Sequence, residues 1–180
     1  MIYVAANSTA EVLGRNILMY LSGMGSFEQM GRTILKLHQI GENPIAENWY
    51  NHQKFLDSLK DIYTRTGPNT IGMIGKRIAE NAKFPPDVKT LEQALFSMER
   101  SYQTVHKGDT KSTKKVVKLS DKSFKVTINS PYPCELDNGY LRGLSNRFTI
   151  PNTTISVVHD DTQPCRKNGG ESCTYIVSWE

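Results

Sequence analysis

The hydrophobic and polar positions follow two different periods along the chain. Up to about residue 106 apolar residues recur every three or four positions, as on the buried face of a helix. From about residue 113 they alternate with polar residues, as in half-buried strands. We therefore predict an α+β protein in which a helical part, residues 1–108, packs on a sheet part, residues 109–180. Because no linker separates the parts, we expect residues 1–180 to form a single domain.

The helical part predicts about five helices, each bounded by recognisable signals. Three pairs have the capping-box spacing, in which a hydroxyl and a Glu or Gln satisfy each other's backbone amides: Ser8–Glu11, Ser26–Gln29 and Thr90–Gln93. A further helix is predicted from Asn43, the cap before Pro44, to Gly67, with Ile45 and Trp49 on its buried face. A short helix follows Pro68. Residues 91–106 then predict one continuous amphipathic helix.

The sheet part predicts four strands and one helix in the order ββαββ. "KKVVKLSDKSFKVTI" indicates two strands around a Ser-Asp turn, and "LDNGYLRGLSNRF" indicates a helix. "TTISVVHD" and "SCTYIVSW" indicate two more strands around the turn "KNGG". Paired glycines between two strands are a hairpin signal. The expected result is a C-terminal four-stranded antiparallel sheet with one inserted helix.

Composition and charge exclude several classes of protein. The chain has 180 residues, 38% of them hydrophobic, a net charge of +4 and three cysteines. It has no apolar run of the ~20 residues that a membrane helix needs and no basic N-terminal leader, so we expect a cytoplasmic protein without a membrane partner. Much of the positive charge lies in residues 107–125, where Phe124 is the sole aromatic. That pattern argues against a nucleic-acid partner.

The segment "GPNTIGMIGKR" resembles a phosphate-binding loop only superficially. Gly72 and Gly75 are too close together for the Walker pattern, and Arg77 stands where that pattern needs Ser or Thr. The segment also follows a helix rather than a strand. We interpret these glycines as small residues that allow close helix packing.

The cysteines are the main candidates for chemistry. Cys165 and Cys173 bracket the predicted Gly-Gly turn, and Cys134 stands at the start of the predicted helix. Three thiolates with His159 or Asp137 would give zinc four ligands. The alternatives are a redox-responsive thiol cluster and simple packing, because a free cysteine behaves as a small apolar residue. The pattern alone leaves these open.

His106 is the second candidate, because it ends the predicted amphipathic helix. A histidine there can bind the last carbonyls and complement the helix dipole, or it can be an axial ligand that faces a pocket. His38 and His52 have mostly polar neighbours in the sequence, and we expect both to be solvated.

The second half resembles a known family. "SPYPCELDNGYLRGLSNRF", followed by a strand and "CRKNGGESCTYIVSW", is similar to the V4R (4-vinyl reductase) domain, from about Leu91 to Trp179. A helical half followed by a sheet with one inserted helix also resembles the haem–nitric-oxide/oxygen-binding (H-NOX) fold, to which V4R is related. The resemblance implies a ligand-binding module for haem, an acyl chain, hydrocarbons or pigment precursors.

Carried onto this chain, the resemblance implies particular residues. The three cysteines match the V4R pattern, within a framework formed by Asp137, Gly139, Gly143 and Gly170. His106 lies near the position of the H-NOX axial histidine. The H-NOX motif Tyr-x-Ser-x-Arg, which clamps the haem propionates, has no arginine counterpart in "TINSPYP".

We therefore expect a sensor domain with an apolar pocket between helices and sheet, for a hydrocarbon, acyl chain or tetrapyrrole, that signals to a separate protein. The expected lining is Leu91, Leu95, Met98, Tyr102, Val105 and His106. Zinc at Cys134, Cys165, Cys173 and His159, or haem at His106, are the cofactor candidates. One alternative is a small reductase-like or accessory enzyme that acts on a pigment or lipid vinyl group through Cys134. Another is an adaptor whose pocket is permanently filled, which a large apolar surface patch and a stable homodimer would favour.

Overall fold

The structure is a computed structural model that describes residues 2–148 and 151–180. Six α-helices lie within these residues: α1 (Gly14–Gly23), α2 (Glu28–Leu37), α3 (His52–Asn81), α4 (Leu91–Phe96), α5 (Met98–Gln103) and α6 (Cys134–Arg147). The strands are β1 (Glu11–Leu13), β2 (Trp49–Asn51), β3 (His106–Lys107), β4 (Thr113–Ser120), β5 (Ser123–Asn129), β6 (Ile155–His159) and β7 (Cys173–Trp179). None of these helices combines the length and the apolar character needed to cross a bilayer.

The C-terminal sheet confirms the predicted ββαββ arrangement. Its strands are antiparallel in the order β4-β5-β7-β6, and α6 is inserted between β5 and β6. Alternation explains the buried face of β5, where Phe124, Val126 and Ile128 are fully buried while Lys125 is exposed. The connection from β6 to β7 spans residues 160–172 and is longer than the predicted "KNGG" turn. Within it Gly169 has a φ of 85°, which favours glycine.

A small second sheet, in the order β2-β1-β3, was not predicted. Its three strands fall where the sequence pattern predicted helix. Glu11 lies in β1 rather than in a capping box with Ser8, and Trp49 lies in β2. The helix expected from Asn43 begins instead at His52, where the Asn51 side chain caps it by accepting from the Lys54 amide. Pairing between strands distant in sequence outweighs the local signals here.

Of the other predicted helix boundaries, some are confirmed and some are wrong. The Thr90–Gln93 capping box is confirmed, with both of its reciprocal bonds formed. The Ser26–Gln29 box is wrong, because α2 starts after Phe27 without a side-chain cap. The predicted break at Gly67 is confirmed, because Gly67 has a non-helical φ of 79° and α3 consists of two helical segments that meet at this kink. The continuous helix predicted for residues 91–106 is also wrong, since it breaks at Ser97 into α4 and α5.

The buried side chains form two hydrophobic cores. The first lies among α1, α2 and α3 and includes Ile17, Phe55 and Leu59. The second lies between the C-terminal sheet and α6 and includes Phe124 and Tyr175. Tyr140 of α6 packs against both cores, so α6 is the element that joins them.

Glycines allow α3 and α6 to cross at backbone contact. A Cβ on Gly75 would clash with the Leu136 carbonyl, and a Cβ on Gly139 would clash with the Gly72 carbonyl. Gly143 lies equally close to the Lys76 carbonyl. These contacts support the packing interpretation of the glycine-containing segment.

The crossing gives a prediction with a matched control. Gly75→Ala is expected to destabilise the fold by about 1–3 kcal/mol, because its methyl group overpacks the helix contact. Gly72→Ala should be neutral or stabilising by up to ~1 kcal/mol, because its Cβ would meet only the Glu135 carbonyl at 3.7 Å. Urea unfolding of the two variants measures the difference. Equal stabilities would contradict this account of the crossing.

Candidate ligand cavity and cysteine–histidine centre

A cavity of about 580 Å³ lies where the helices meet the sheet. Side chains from α1, α3, α5, β3, β4 and α6 contribute to its wall, including Asn16, Ile78, Tyr102, His106, Lys114 and Asp137. Its lining also includes Arg15, Glu47 and Lys83, which are exposed and mark its opening. A space of this size, with apolar walls and a few polar groups, is typical of a small-molecule site.

Four of the six residues expected to line a pocket do so: Met98, Tyr102, Val105 and His106. Leu91 and Leu95 lie in the sheet-side core instead. The break at Ser97 explains the division. With α4 and α5 as separate helices, the apolar face of α4 packs on the sheet while that of α5 borders the cavity.

A chain of buried hydrogen bonds runs along one side of the cavity. His106 Nδ1 lies 3.0 Å from the Tyr102 carbonyl, which can only accept, so Nδ1 carries the proton. His106 Nε2 therefore accepts from the Tyr132 hydroxyl at 2.7 Å. That hydroxyl in turn accepts from His52 Nε2 at 3.0 Å. The geometry thus assigns one tautomer to each histidine.

Both histidines in this hydrogen-bonded series are neutral at physiological pH. Burial lowers the pKa of His52 to about 4, and burial together with the neighbouring His52 lowers the pKa of His106 to about 3. The expectation that His52 would be solvated is wrong, since it is fully buried at the start of α3. His106 lies in β3 rather than at a helix end, and Tyr102 stacks on its ring with centroids 3.8 Å apart.

Besides the exposed Arg15, Glu47 and Lys83 at its opening, the cavity lining includes the charged side chains of Asp137 and Lys114. Asp137 forms an ion pair with Arg166, whose guanidinium also donates to the Ser130 carbonyl and hydroxyl. Burial raises the pKa of Asp137, and Arg166 opposes that shift. Lys114 differs, because its buried Nζ has no hydrogen-bond partner among residues 2–148 and 151–180. Its ammonium lies 3.3 Å from the centre of the Tyr102 ring.

The three cysteines meet behind this wall. Cys134 begins α6, Cys165 lies in the β6–β7 connection and Cys173 begins β7. The Sγ of Cys134 is 3.5 Å from that of Cys165 and 2.9 Å from that of Cys173, and Cys165 and Cys173 are 3.7 Å apart. Two of these separations approach the ~3.8 Å expected between thiolates on one tetrahedral zinc.

His159 completes this cysteine–histidine centre. The four ligand atoms all lie within 4.8 Å of one another. His159 Nδ1 lies 2.7 Å from Asp161 Oδ1, while its buried Nε2 has no hydrogen-bond partner in the described chain. A histidine held through one nitrogen, with the other free beside three thiols, is the usual arrangement of a metal ligand. Asp137, the other fourth ligand considered, is paired with Arg166 instead.

Cys134 lacks the features of an activated nucleophile. Its hydrogen bond to Cys173 and its burial raise the pKa of the Cys134 thiol, and it does not belong to the cavity lining. For Cys173 the hydrogen bonds from Cys134 and Arg166 act the other way and lower the pKa. Cys173 is therefore the cysteine of this pair that is more readily deprotonated. Arg166 Nε lies 3.4 Å from the Cys173 sulfur.

Comparison with solved structures identifies the fold. A single-site mutant of T. tengcongensis H-NOX matches 93% of this chain and 97% of its own, with a TM-score of 0.68 and 11% identity. The Fe(II)NO form of an H-NOX protein from S. oneidensis matches 92% and 98%, with a TM-score of 0.65 and 12% identity. The chain has the H-NOX fold. No family model and no curated protein matches it.

A structure described as modulating haem redox potential through porphyrin distortion shares this fold, with a TM-score of 0.69, 13% identity and coverage of 93% of this chain and 94% of its own.

The residues around His106 do not fit haem. The nitrogen that would bind iron, Nε2, is occupied by the Tyr132 hydroxyl. If the Tyr-x-Ser-x-Arg motif is aligned on Tyr132, Cys134 and Leu136 stand at its serine and arginine positions. No guanidinium is then available there for a propionate.

Sequence reasoning missed Tyr132, His52, Lys114 and Arg166. Two of them had a usable signal. Lys114 is two residues from the inward-facing Val116, so strand alternation places it on the buried face. Tyr132 is the aromatic residue of "SPYPC". Nothing local marks His52 or Arg166, whose burial depends on distant elements.

The buried histidines predict a loss of stability in mild acid. In the unfolded chain their pKa returns to about 6.5, so the unfolded state binds protons that the folded state does not. Stability is then complete above pH 6.5 and is lost as the pH falls toward about 4 for His52 and about 3 for His106. The slope should be about 1.4 kcal/mol per pH unit for each histidine.

Urea unfolding at pH 7 and pH 5 measures this loss. A His52→Gln/His106→Gln double variant should show a shallower dependence, because neither buried imidazole is left to titrate. His38→Gln should keep the wild-type slope, because it leaves the buried pair in place. An unchanged slope in the double variant would overturn this explanation.

Proposed function

We propose that this chain is a cytoplasmic small-molecule-binding sensor domain whose ligand occupies the cavity between helices and sheet. The observation that carries the proposal is the cavity of about 580 Å³ with buried hydrogen-bonding groups on an apolar wall. Enclosed apolar spaces that also hold convergent polar groups are the usual form of ligand sites. The ligand class is an organic molecule such as a hydrocarbon or an acyl chain, because the wall does not fit haem.

The position of the cavity supports a sensing role. Its lining includes Tyr20 and Ile78 from the helical core and Tyr140, which packs against both cores. A ligand in the cavity would contact both halves of the fold. It can change how the halves pack only if it binds two conformations of the protein with different affinities. Such a change would reach a separate signalling protein through the surface. The H-NOX fold of the solved neighbours is consistent with this role.

We also propose that the cysteine–histidine centre binds one zinc ion that stabilises the fold. The supporting observation is the free, buried Nε2 of His159 beside three thiols. Three sulfurs and one imidazole are a common closed donor set for structural zinc. The metal would connect the start of α6, the β6–β7 connection and β7, which are distant in sequence.

Blocking the cavity tests the first proposal. Met19→Trp is expected to abolish binding of 1-dodecanol by the purified chain, because the indole fills space that Met19 now borders. Met73→Trp is the matched control, since Met73 is exposed and lies outside the lining. Calorimetry and native mass spectrometry measure binding. Haemin should give no histidine-ligated Soret band. Equal binding of 1-dodecanol by the Met19→Trp and Met73→Trp variants would contradict the proposal. So would the absence of binding by the wild-type protein.

Elemental analysis tests the second proposal. The purified chain should contain about one zinc per molecule, and Cys173→Ser or His159→Ala should lose it together with part of the thermal stability. His38→Ala is the control, because His38 lies near Asp61 and away from the cysteines. Retention of full zinc content in both Cys173→Ser and His159→Ala would exclude this centre as the site.

A further inference from the structure

Two buried donors in the cavity wall lack partners within the described chain. They are Nδ2 of Asn16 on α1 and Nζ of Lys114 on β4. A buried donor without an acceptor costs about 1–3 kcal/mol, and more when it is charged. Both groups are hydrogen-bond donors, so each needs an acceptor that the described residues do not supply. A ligand that supplied acceptor oxygens would satisfy both.

Lys114 is placed in the wall by the register of its strand. It pairs with Ile128 of the neighbouring strand, and both residues project toward the interior. Its backbone amide is held by Glu99 Oε2 at 2.7 Å. The ammonium rests on the Tyr102 ring, which shields it without supplying a full counter-charge.

The other interior charges already have partners. Asp137 is bound to Arg166, and Asp109 accepts hydrogen bonds from Tyr102 and Ser112. Of the three exposed charged residues at the opening, Arg15 and Lys83 are basic and Glu47 is acidic. A negatively charged group entering the cavity would therefore pass an opening of net positive charge and meet, inside, the Lys114 ammonium, which has no hydrogen-bond partner among the described residues.

We propose that Lys114 is the anchor for the anionic head of the cavity ligand, which is an amphipathic carboxylate with an apolar tail. The carboxylate would accept from the Lys114 ammonium, while the tail would lie along Met19, Ile78 and Met98. This inference rests on the proposed ligand-binding function and specifies its ligand class. It also explains why a cavity with largely apolar walls retains a lysine.

The ionisation of Lys114 supports this assignment. Burial lowers its pKa to about 8, while Asp137, Glu99 and Asp109 oppose that shift and Arg166 adds to it. The side chain is therefore mostly protonated at pH 7 but poorly stabilised in that form. A bound carboxylate would restore the stabilisation that burial removes.

Calorimetry with two probes of equal length tests the anchor. Wild-type protein is expected to bind dodecanoate at least ~10-fold more tightly than 1-dodecanol, because a charge-assisted hydrogen bond contributes about 1.5–3 kcal/mol. Lys114→Met should remove that preference while dodecanol binding is kept. Lys114→Arg should retain part of it. Lys115→Met is the matched control on the exposed face of the same strand, and should behave as wild type.

Thermal unfolding without ligand separates this role from a structural one. Lys114→Met should raise Tm, because it removes a buried ammonium whose hydrogen bonds the described residues leave unsatisfied. A lowered Tm would indicate that Lys114 serves the fold instead, and would overturn the proposal.

The outcomes also separate this inference from the proposed function. Equal affinity of wild type for dodecanoate and dodecanol, or a preference that survives Lys114→Met, would overturn the anchor and leave the ligand-binding function standing. Binding of neither probe would overturn both.

Discussion

The backbone contact between α3 and α6 is the constraint on which the rest of the structure depends. Because Gly75 and Gly139 lack side chains, the two helices approach until carbonyls of one touch the other. This closeness fixes where α6 begins, and α6 begins with Cys134 and places Asp137 one turn later. A wider crossing would shift both residues away from their partners on β7 and the β6–β7 connection. The glycines therefore position the chemistry without taking part in it.

Two cores instead of one explain why the fold contains a cavity. The helical core and the sheet-side core each pack tightly around their own large side chains. Between them the cavity wall includes Tyr132, His106, Lys114 and Asp137, which belong to neither tight aliphatic cluster except for Tyr132. Protein interiors normally leave few voids larger than water. A space of about 580 Å³ at this boundary is therefore a feature of the sequence rather than a packing defect.

Much of the fold could be predicted from sequence because it is encoded locally. Alternation along β5 and β7 and the Thr90–Gln93 box act within a few residues, and all appear as expected. The small sheet could not be predicted, since each of its strands has three residues or fewer and depends on distant partners. The approach of Cys134, Cys165 and Cys173 was predicted from turn and helix signals, with His159 and Asp137 as alternative fourth ligands, and the structure places His159 beside them. The environment of Lys114 was not, because its burial depends on α5 and α6.

The Asp137–Arg166 pair has a consequence for how the two sites communicate. Arg166 contacts the Cys173 sulfur on one side and Asp137 on the other, and Asp137 forms part of the cavity wall. A ligand of the kind proposed here that altered the Asp137–Arg166 contact would also change the electrostatic environment of the Cys173 sulfur. Thermodynamic reciprocity then applies: whatever factor the cavity ligand imposes on metal affinity, the metal imposes on ligand affinity. If both proposed sites are occupied, Arg166 is the residue that would couple metal binding at the cysteines to ligand binding in the cavity.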